Sequence, residues 1–371
     1  MRKAVLGLAA AALALTLTAT GAFAEEAKYS IKIGWAPPNV TGVFETAEQY
    51  MQLAAEDAKA HGIDVEIVTI ATPDETQFEN QVRALENLVQ QECDAIICSP
   101  GSVDACLNAF KEINDAGIPL ILVNLDEAPE GIDVTSIIGF NNITAGTVSA
   151  YALLDQLGGP GVIEPGDMVD VEDGTYLDQA WWEEVYKDFD YSSIAAKVAI
   201  IEGISGTIYS IQRNEGFHNV IDQCDNIEIV QMLAGDWDRE KGNKAAENIL
   251  MANDELDAIW ASSNEMGMGA AIAKETLGRD EVLISTNDGT PESIGDFIMK
   301  DRIVTETWHG FPEWGWYGVE TALKAVLGEE IEPFQDIRPR TEYAGNAEDF
   351  YPVAHLQDID WDGILAAGGI E

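Results

Sequence analysis

The stretch WASSNEMGMGA, residues 260–270, decides how the chain is read. Trp260 and Ala261 close an apolar run, 258–261, that has the character of a buried strand. The next four residues, Ser262, Ser263, Asn264 and Glu265, are polar, and the chain then turns to small residues suited to a helix start against a sheet. None of the four is an obvious nucleophile, metal ligand or phosphate loop. A buried strand that ends in hydrogen-bonding side chains and runs straight into a helix is the unit of a parallel α/β sheet, whose ligands lie beyond the carboxyl ends of the strands.

On both sides the unit repeats. Downstream, 282–286 is a strand, and TPES (290–293) opens a helix with Pro291 in its first turn. Upstream, 198–201 and 228–233 are strands, with helices over 210–223 and 240–252. The N-terminal half has strands at 29–35, 63–70 and 95–99, then GIPLILVN (117–124) and 134–139. Its helices carry apolar faces that include Phe44, Tyr50 and Met51, then Phe78, Val82, Leu85 and Leu88, then Cys106, Phe110 and Ile113. TPDE (72–75) reads as a capping box with Thr72 as N-cap of the second of these helices. Apolar strands alternating with helices mean parallel sheets covered on both faces, and two such runs predict two doubly wound α/β domains.

One segment, 158–193, breaks the rhythm and is longer than an ordinary connection. It is acidic and carries Trp181, Trp182, Tyr186 and Phe189 in a helix-like patch. It reads either as a surface elaboration packing one extra helix on a domain, or as a lid, partner surface or calcium loop. The spacing of Asp167, Asp170, Glu172 and Asp173 does not match an EF-hand.

The chain opens with Arg2 and Lys3, an apolar core over 4–17, and Ala22-Phe23-Ala24 before Glu25. That is a secretory signal peptide cleaved near Ala24, and it predicts an exported protein, most simply in a bacterial periplasm. With 20 basic and 66 acidic residues the net charge is −46, and removal of 1–24 takes away two basic residues, giving 18 − 66 = −48. Such a chain does not bind nucleic acid or an anionic membrane by charge attraction. The excess acid reads as a solvated surface, best tolerated in salt. Four cysteines in an exported chain permit disulfides. One local bridge among Cys93, Cys98 and Cys106 is allowed, Cys224 being distant, and the spacing does not choose it. His61, His218, His309 and His355 are scattered, so no histidine metal centre is expected.

The strand ends supply the candidate site. They carry Asn39, Thr41 and Phe44, then Asn124, then Asn141, then Tyr209 and Arg213, then Trp237, then Ser263 and Asn264, then Asn287 and Asp288, then Trp308 and His309. Amides, hydroxyls, one acid and aromatic rings suit a neutral ligand with many hydroxyls: polar planar groups bond the hydroxyls, and ring faces pack C–H surfaces. They suit catalysis less. The chain has no G-x-S-x-G, no P-loop lysine after GISGT, and no G-x-G-x-x-G after its first strand.

GIPLILVN, SGTIYSIQRNEGF, GDWDREKGNKAAENIL, WASSNEMGMGA, ISTNDGTPESI and GVETALKAVLGE together resemble the periplasmic sugar-binding proteins of the ribose-binding type, the solute receptors of ABC importers. The resemblance runs from about 29 to 330. It implies two Rossmann-like lobes, the type I periplasmic binding protein fold, joined by three hinge strands and closing on a ligand. On that basis 25–140 with 310–340 form the N-terminal lobe, 141–309 the C-terminal lobe with insert 158–193, and 341–371 a tail of unassigned lobe. Phe44 matches a ring that packs the sugar, and Trp237 the ring on the opposite lobe. Asn124 stands for an aspartate, Ser263 for an asparagine with Asn264 beside it, and His309 for a hinge glutamine. Asn141 matches a position at the first crossing, Arg213 a family arginine and Asp288 the cleft aspartate, with Asn287 as its neighbour. Leu125 and Ile211 stand where the ribose binder has arginines, which points to a different sugar, a polyol or another small polar solute.

The implied function is capture of a sugar or polyol by a monomer and delivery to an ABC permease, with no cofactor, metal, nucleic acid or catalysis. The alternatives are a ligand-presenting sensor for a membrane chemoreceptor or histidine kinase, and a secreted hydrolase. A transcription regulator on this fold is disfavoured by the signal peptide, the acidity and the lack of an N-terminal helix-turn-helix.

Overall fold

The structure, a computed structural model, describes residues 29–72, 76–163, 171–172 and 174–370. The signal peptide, Pro73 to Glu75, and Asp167, Asp170 and Asp173 of the insert lie outside the described residues. The first run is β1 (Tyr29–Ala36), α1 (Gly42–Ala60), β2 (Ile63–Thr69), α2 (Phe78–Gln90), β3 (Ala95–Cys98), α3 (Val103–Asp115), β4 (Leu120–Val123) and β5 (Ser136–Gly139). Then come α4 (Asn142–Gln156) and α5 (Gln179–Val185). The second run is β6 (Ala195–Glu202), α6 (Ile208–Ile221), β7 (Asn226–Ala234), α7 (Arg239–Ala252), β8 (Ala258–Ala261), α8 (Asn264–Leu277), β9 (Leu283–Asp288), α9 (Pro291–Asp296) and β10 (Thr305–Trp308). The chain finishes with α10 (Phe311–Leu327), β11 (Phe334–Asp336), β12 (Arg340–Glu342) and α11 (Trp361–Ala367).

Two six-stranded sheets result, ordered β11-β5-β4-β3-β1-β2 and β12-β10-β9-β8-β6-β7. Every pairing is parallel except that of β12 with β10. The apolar strands are buried because helices cover both faces of each sheet. In the first, Ile33, Ile97 and Ile121 pack with Met51 of α1 and Trp314 of α10, and on the other face Ile96 and Leu122 pack with Leu85 of α2 and Phe110 of α3. In the second, Ile201 and Ile259 meet Ile249 of α7 and Met268 of α8, while Val198 and Trp260 meet Leu153 of α4 and Phe217 of α6.

The chain passes between the sheets at 140–141, at 309–310 and at 337–339. The tail then serves both lobes. Ala347, Phe350 and Ala354 join the second lobe's core, whereas Ile359, Trp361 and Ile364 join the first. No helix among the described residues is long and apolar enough to cross a membrane.

Two local expectations need correction. Thr72 does not cap α2, which starts at Phe78 behind Gln77; its hydroxyl instead donates to the carbonyl of Pro38. No local disulfide forms: Cys93, Cys98, Cys106 and Cys224 are all free and buried. Burial pushes the Cys106 thiol up to about 12, so it behaves as a small apolar side chain. The described part of insert 158–193 packs α5 on the second lobe: Trp182 Nε1 donates to Thr341 Oγ1 at 2.8 Å and the Tyr186 hydroxyl to the Tyr151 carbonyl at 3.0 Å.

Candidate functional site

In each sheet the strand order reverses beside the first strand of its run, between β1 and β3 and between β6 and β8. At such a switch point the loops leaving neighbouring strands diverge to opposite faces and open a crevice at the carboxyl ends. The two crevices face each other. A cavity of about 520 Å³ lies between them, walled by Asn39, Thr41, Phe44, Ser99 and Asn124 from one lobe and by Tyr209, Arg213, Trp237, Ser263, Asn264 and Asp288 from the other.

The floor is an ion pair. Arg213 Nη1 lies 2.9 Å from Asp288 Oδ1, with both side chains almost wholly buried. Arg213 also donates to the Asn142 Oδ1 at 3.0 Å and the Ser262 carbonyl at 2.7 Å, so the guanidinium plane is held from α4 and from the end of β8. Asp288 Oδ2 accepts from the Asn264 N–H at 3.2 Å, at the start of α8. Burial opposes ionisation of Asp288, but Arg213, His309 and that N–H together outweigh it and hold the carboxyl below the usual range. His309 Nδ1 stands 3.1 Å from Asp288 Oδ1. Burial, reinforced by the Arg213 charge, pushes His309 down to about 4, so its ring is neutral at ordinary pH.

The wall's other cations are also matched, and its one carboxylate without a cation, Asp238, caps α7 by accepting the Lys241 N–H at 2.8 Å. Arg239 binds Glu265 at 2.7 Å and Glu292 at 2.7 Å, and Lys241 lies 3.0 Å from Asp236. By contrast Asn124 Oδ1 and Asn264 Oδ1 are buried without a hydrogen-bond partner. The cavity thus offers a ligand neutral acceptors, hydroxyls and the rings of Phe44, Phe78 and Trp237, and leaves no cation free for an anionic ligand.

Backbone strain marks the same place. Asn124 (φ 66°), Asp236 (φ 50°), Trp237 (φ 62°) and Asp288 (φ 107°) all lie in the left-handed half of conformational space and all line the cavity. For a residue as bulky as tryptophan this is a true outlier, costing on the order of 1–3 kcal/mol. Such residues gather where a site dictates side-chain direction.

Of the residues expected at the site, Thr41, Phe44, Asn124, Arg213, Trp237, Ser263, Asn264 and Asp288 line the cavity, while Asn141, Asn287 and His309 do not. Asn141 is the N-cap of α4: its Oδ1 accepts from the N–H groups of Ile143 and Thr144, and its Nδ2 donates to Asp126. Asn287 precedes Asp288 on β9, and successive strand side chains point to opposite faces, so the two cannot both face the cleft. His309 is fully buried, tilted against Phe140 at 4.4 Å, and reaches the cavity wall only as a neighbour of Asp288. Ser263 also caps α8 through its Oγ.

Phe78, Arg239 and Glu265 also line the cavity. Phe78 fits the apolar period of α2, so nothing in its spacing separates a helix-start ring facing the cleft from a core ring. Arg239 and Glu265 sit at the starts of α7 and α8, a position that was legible, but their pairing joins loops of different strands and was not. Trp35 and Trp260 are wholly buried, as expected; Trp260 stacks on Phe217 at 4.1 Å. No cluster of metal-ligating side chains occurs among the described residues.

The sequence is 27% identical to the ribose import binding protein of Bacillus subtilis (strain 168), over 75% of this chain and 76% of that protein. The fold is similar to that of an ABC transporter periplasmic solute-binding protein from Actinobacillus succinogenes 130z solved with bound D-allose, with a TM-score of 0.70, 22% identity, and 86% and 100% of the two chains covered. It is also similar to an ABC transporter solute-binding protein from Bacillus halodurans C-125 with bound myo-inositol, with a TM-score of 0.67, 24% identity, and 86% and 96% covered. The family model described as periplasmic binding protein domain matches residues 33–330. That match takes in both switch points and the whole cavity wall, and the chain belongs to the periplasmic binding protein family, whose members are solute receptors and not enzymes.

Proposed function

We propose that the protein is exported to the periplasm, acts as a monomer, captures a neutral sugar or polyol in the inter-lobe cavity, and delivers it to an ABC import permease. The observation that carries the ligand class is the internal pairing of the charges. Arg213 with Asp288, Arg239 with Glu265 and Glu292, and Lys241 with Asp236 satisfy one another. What remains for a ligand is the amide of Asn124, whose Oδ1 has no partner, with hydroxyls and aromatic faces. Buried acceptors without partners cost about 1–3 kcal/mol each, and a ligand hydroxyl that donates to them recovers that cost on binding. The carboxylate of an amino acid or organic acid would find no free cation. The relatives that bind ribose, D-allose and myo-inositol, by their names, support the same class.

Capture is a movement of lobes, not a chemical step. Binding between two bodies joined by short crossings stabilises the closed form by the contacts made only there. Native mass spectrometry of the protein as purified, followed by identification of the released molecule, tests the reading. A neutral polyhydroxylated compound is expected; a bound amino acid or carboxylate would overturn it.

A further inference from the structure

Gly203 follows β6 directly and is not part of the cavity wall. A Cβ built on it would stand 1.9 Å from Trp237 Cζ2, 2.1 Å from Cη2 and 2.2 Å from Cε2. Those contiguous ring atoms are nearly equidistant, so the missing methyl would lie over the face of the indole benzo ring, not at its edge. The glycine backbone is therefore the floor on which one face of Trp237 rests. The ring is held elsewhere too. Asp236 and Trp237 are consecutive left-handed residues, pinned by Gly235 N–H to the Glu202 carbonyl at 2.8 Å and by Asp238 N–H to the Gly235 carbonyl at 2.9 Å. Arg213 Cζ lies 5.3 Å from the ring centroid. With the backbone strained and the guanidinium fixed in its buried ion pair, the indole has no slack to absorb a pushed atom.

We propose that Gly203 is a positioning residue for ligand recognition: its lack of a side chain sets how deeply Trp237 enters the cleft. The claim rests on the reading of the cavity as the solute site. Any side chain at 203 lifts the indole off its floor and changes the volume left for a ligand. Gly203 is not a positive-φ glycine, so alanine meets a steric obstacle there and no conformational one.

The test uses Gly203→Ala, Trp237→Ala and the double variant. Without ligand, fluorine NMR of fluorotryptophan-labelled protein, with the Trp237 signal assigned by Trp237→Phe, should show that signal displaced in Gly203→Ala; an unmoved signal overturns the proposal whatever the ligand proves to be. With the sugar or polyol that binds the parent protein, Gly203→Ala should weaken affinity by about tenfold or more. In the Trp237→Ala background the same change should alter affinity by less than about twofold, because no ring remains to be displaced. Equal losses in both backgrounds would show a general structural effect and overturn the proposal. If Gly203→Ala alone does not fold, recovery of folding in the double variant shows the same collision.

Discussion

The hydroxyl of Tyr209, on α6 of the second lobe, donates a 2.7 Å hydrogen bond to the carbonyl of Pro100, just beyond β3 in the first. The bond crosses the cleft beside the cavity and is buried, so it exists only while the lobes are together. In an open form both groups would be hydrated. A neutral hydrogen bond is worth about 1 kcal/mol net. Tyr209→Phe should therefore lower ligand affinity by about fivefold with little change in the contacts to ligand itself. Calorimetric titration checks the affinity, and small-angle scattering should show a larger share of the open form. Unchanged affinity would mean that this bond does not contribute to closure.

Asp288 and Arg213 form a buried pair, and removing one charge strands the other. Asp288→Asn should destabilise the ligand-free protein by about 3 kcal/mol or more and weaken ligand binding. Because the folded carboxyl ionises below the usual aspartate range, its contribution is fully present above that range and is lost as pH falls through the depressed value. The parent should lose stability in acid through this group, and Asp288→Asn should lack that component. Chemical denaturation at several pH values distinguishes the two; parallel pH curves would count against the pair.

Glu306 and Glu342 face each other across β10 and β12, the strands next to the second and third crossings. Both are buried; Glu306 Oε1 accepts the Gly289 N–H at 2.8 Å, but Glu306 Oε2 and both oxygens of Glu342 have no partner. Burial, aided by the charge of Asp288 and opposed by Ser293 and Gly289, pushes Glu306 from 4.5 up to about 8; burial and the Glu306 charge push Glu342 up as well. A carboxyl with a raised folded value binds its proton more tightly in the native state. The unfolded chain then holds fewer protons between the two values, and stability falls as pH rises from 4.5 towards about 8. Glu306→Gln should flatten that slope and raise the melting temperature at the upper end of the window. A variant with the parent's slope would refute the raised value of Glu306.

Trp361 gives the tail a structural role. It stacks on His61 of the first lobe at 4.7 Å and donates to Asp57 at 2.8 Å. Trp361→Ala should cost about 3 kcal/mol of stability and leave ligand affinity within about twofold. A large affinity loss at unchanged stability would place the tail in recognition instead.

The architecture was legible because a parallel sheet writes itself as apolar strands between amphipathic helices. The run around Trp260, repeated through both halves, needed nothing tertiary to be read. Most of the residues named at the strand ends line the cavity for the same reason. What failed was direction. Asn287 and Asp288 are adjacent, and only the strand's register tells which one looks at the cleft. Asn141 carries the right side chain at the right crossing, yet spends it on capping α4. Cys93, Cys98 and Cys106 are close in sequence but stay buried as free thiols, Cys93 before β3, Cys98 on it and Cys106 on α3. The strained turn at Asp236 and Trp237, and the bare floor at Gly203, have no signature at all, since neither strain nor an absent side chain shows until the ring is placed.

The most direct test is a thermal-shift screen of protein unfolded and refolded to strip any carried ligand, against pentoses, hexoses, deoxysugars and polyols, with amino acids and organic acids as controls. A ligand at about 100 times its dissociation constant adds about 2.7 kcal/mol of stability, a shift easily seen. A rise in melting temperature confined to one sugar or polyol series is the predicted result. A rise with amino acids or organic acids alone would contradict the account of a cavity whose cations are already paired.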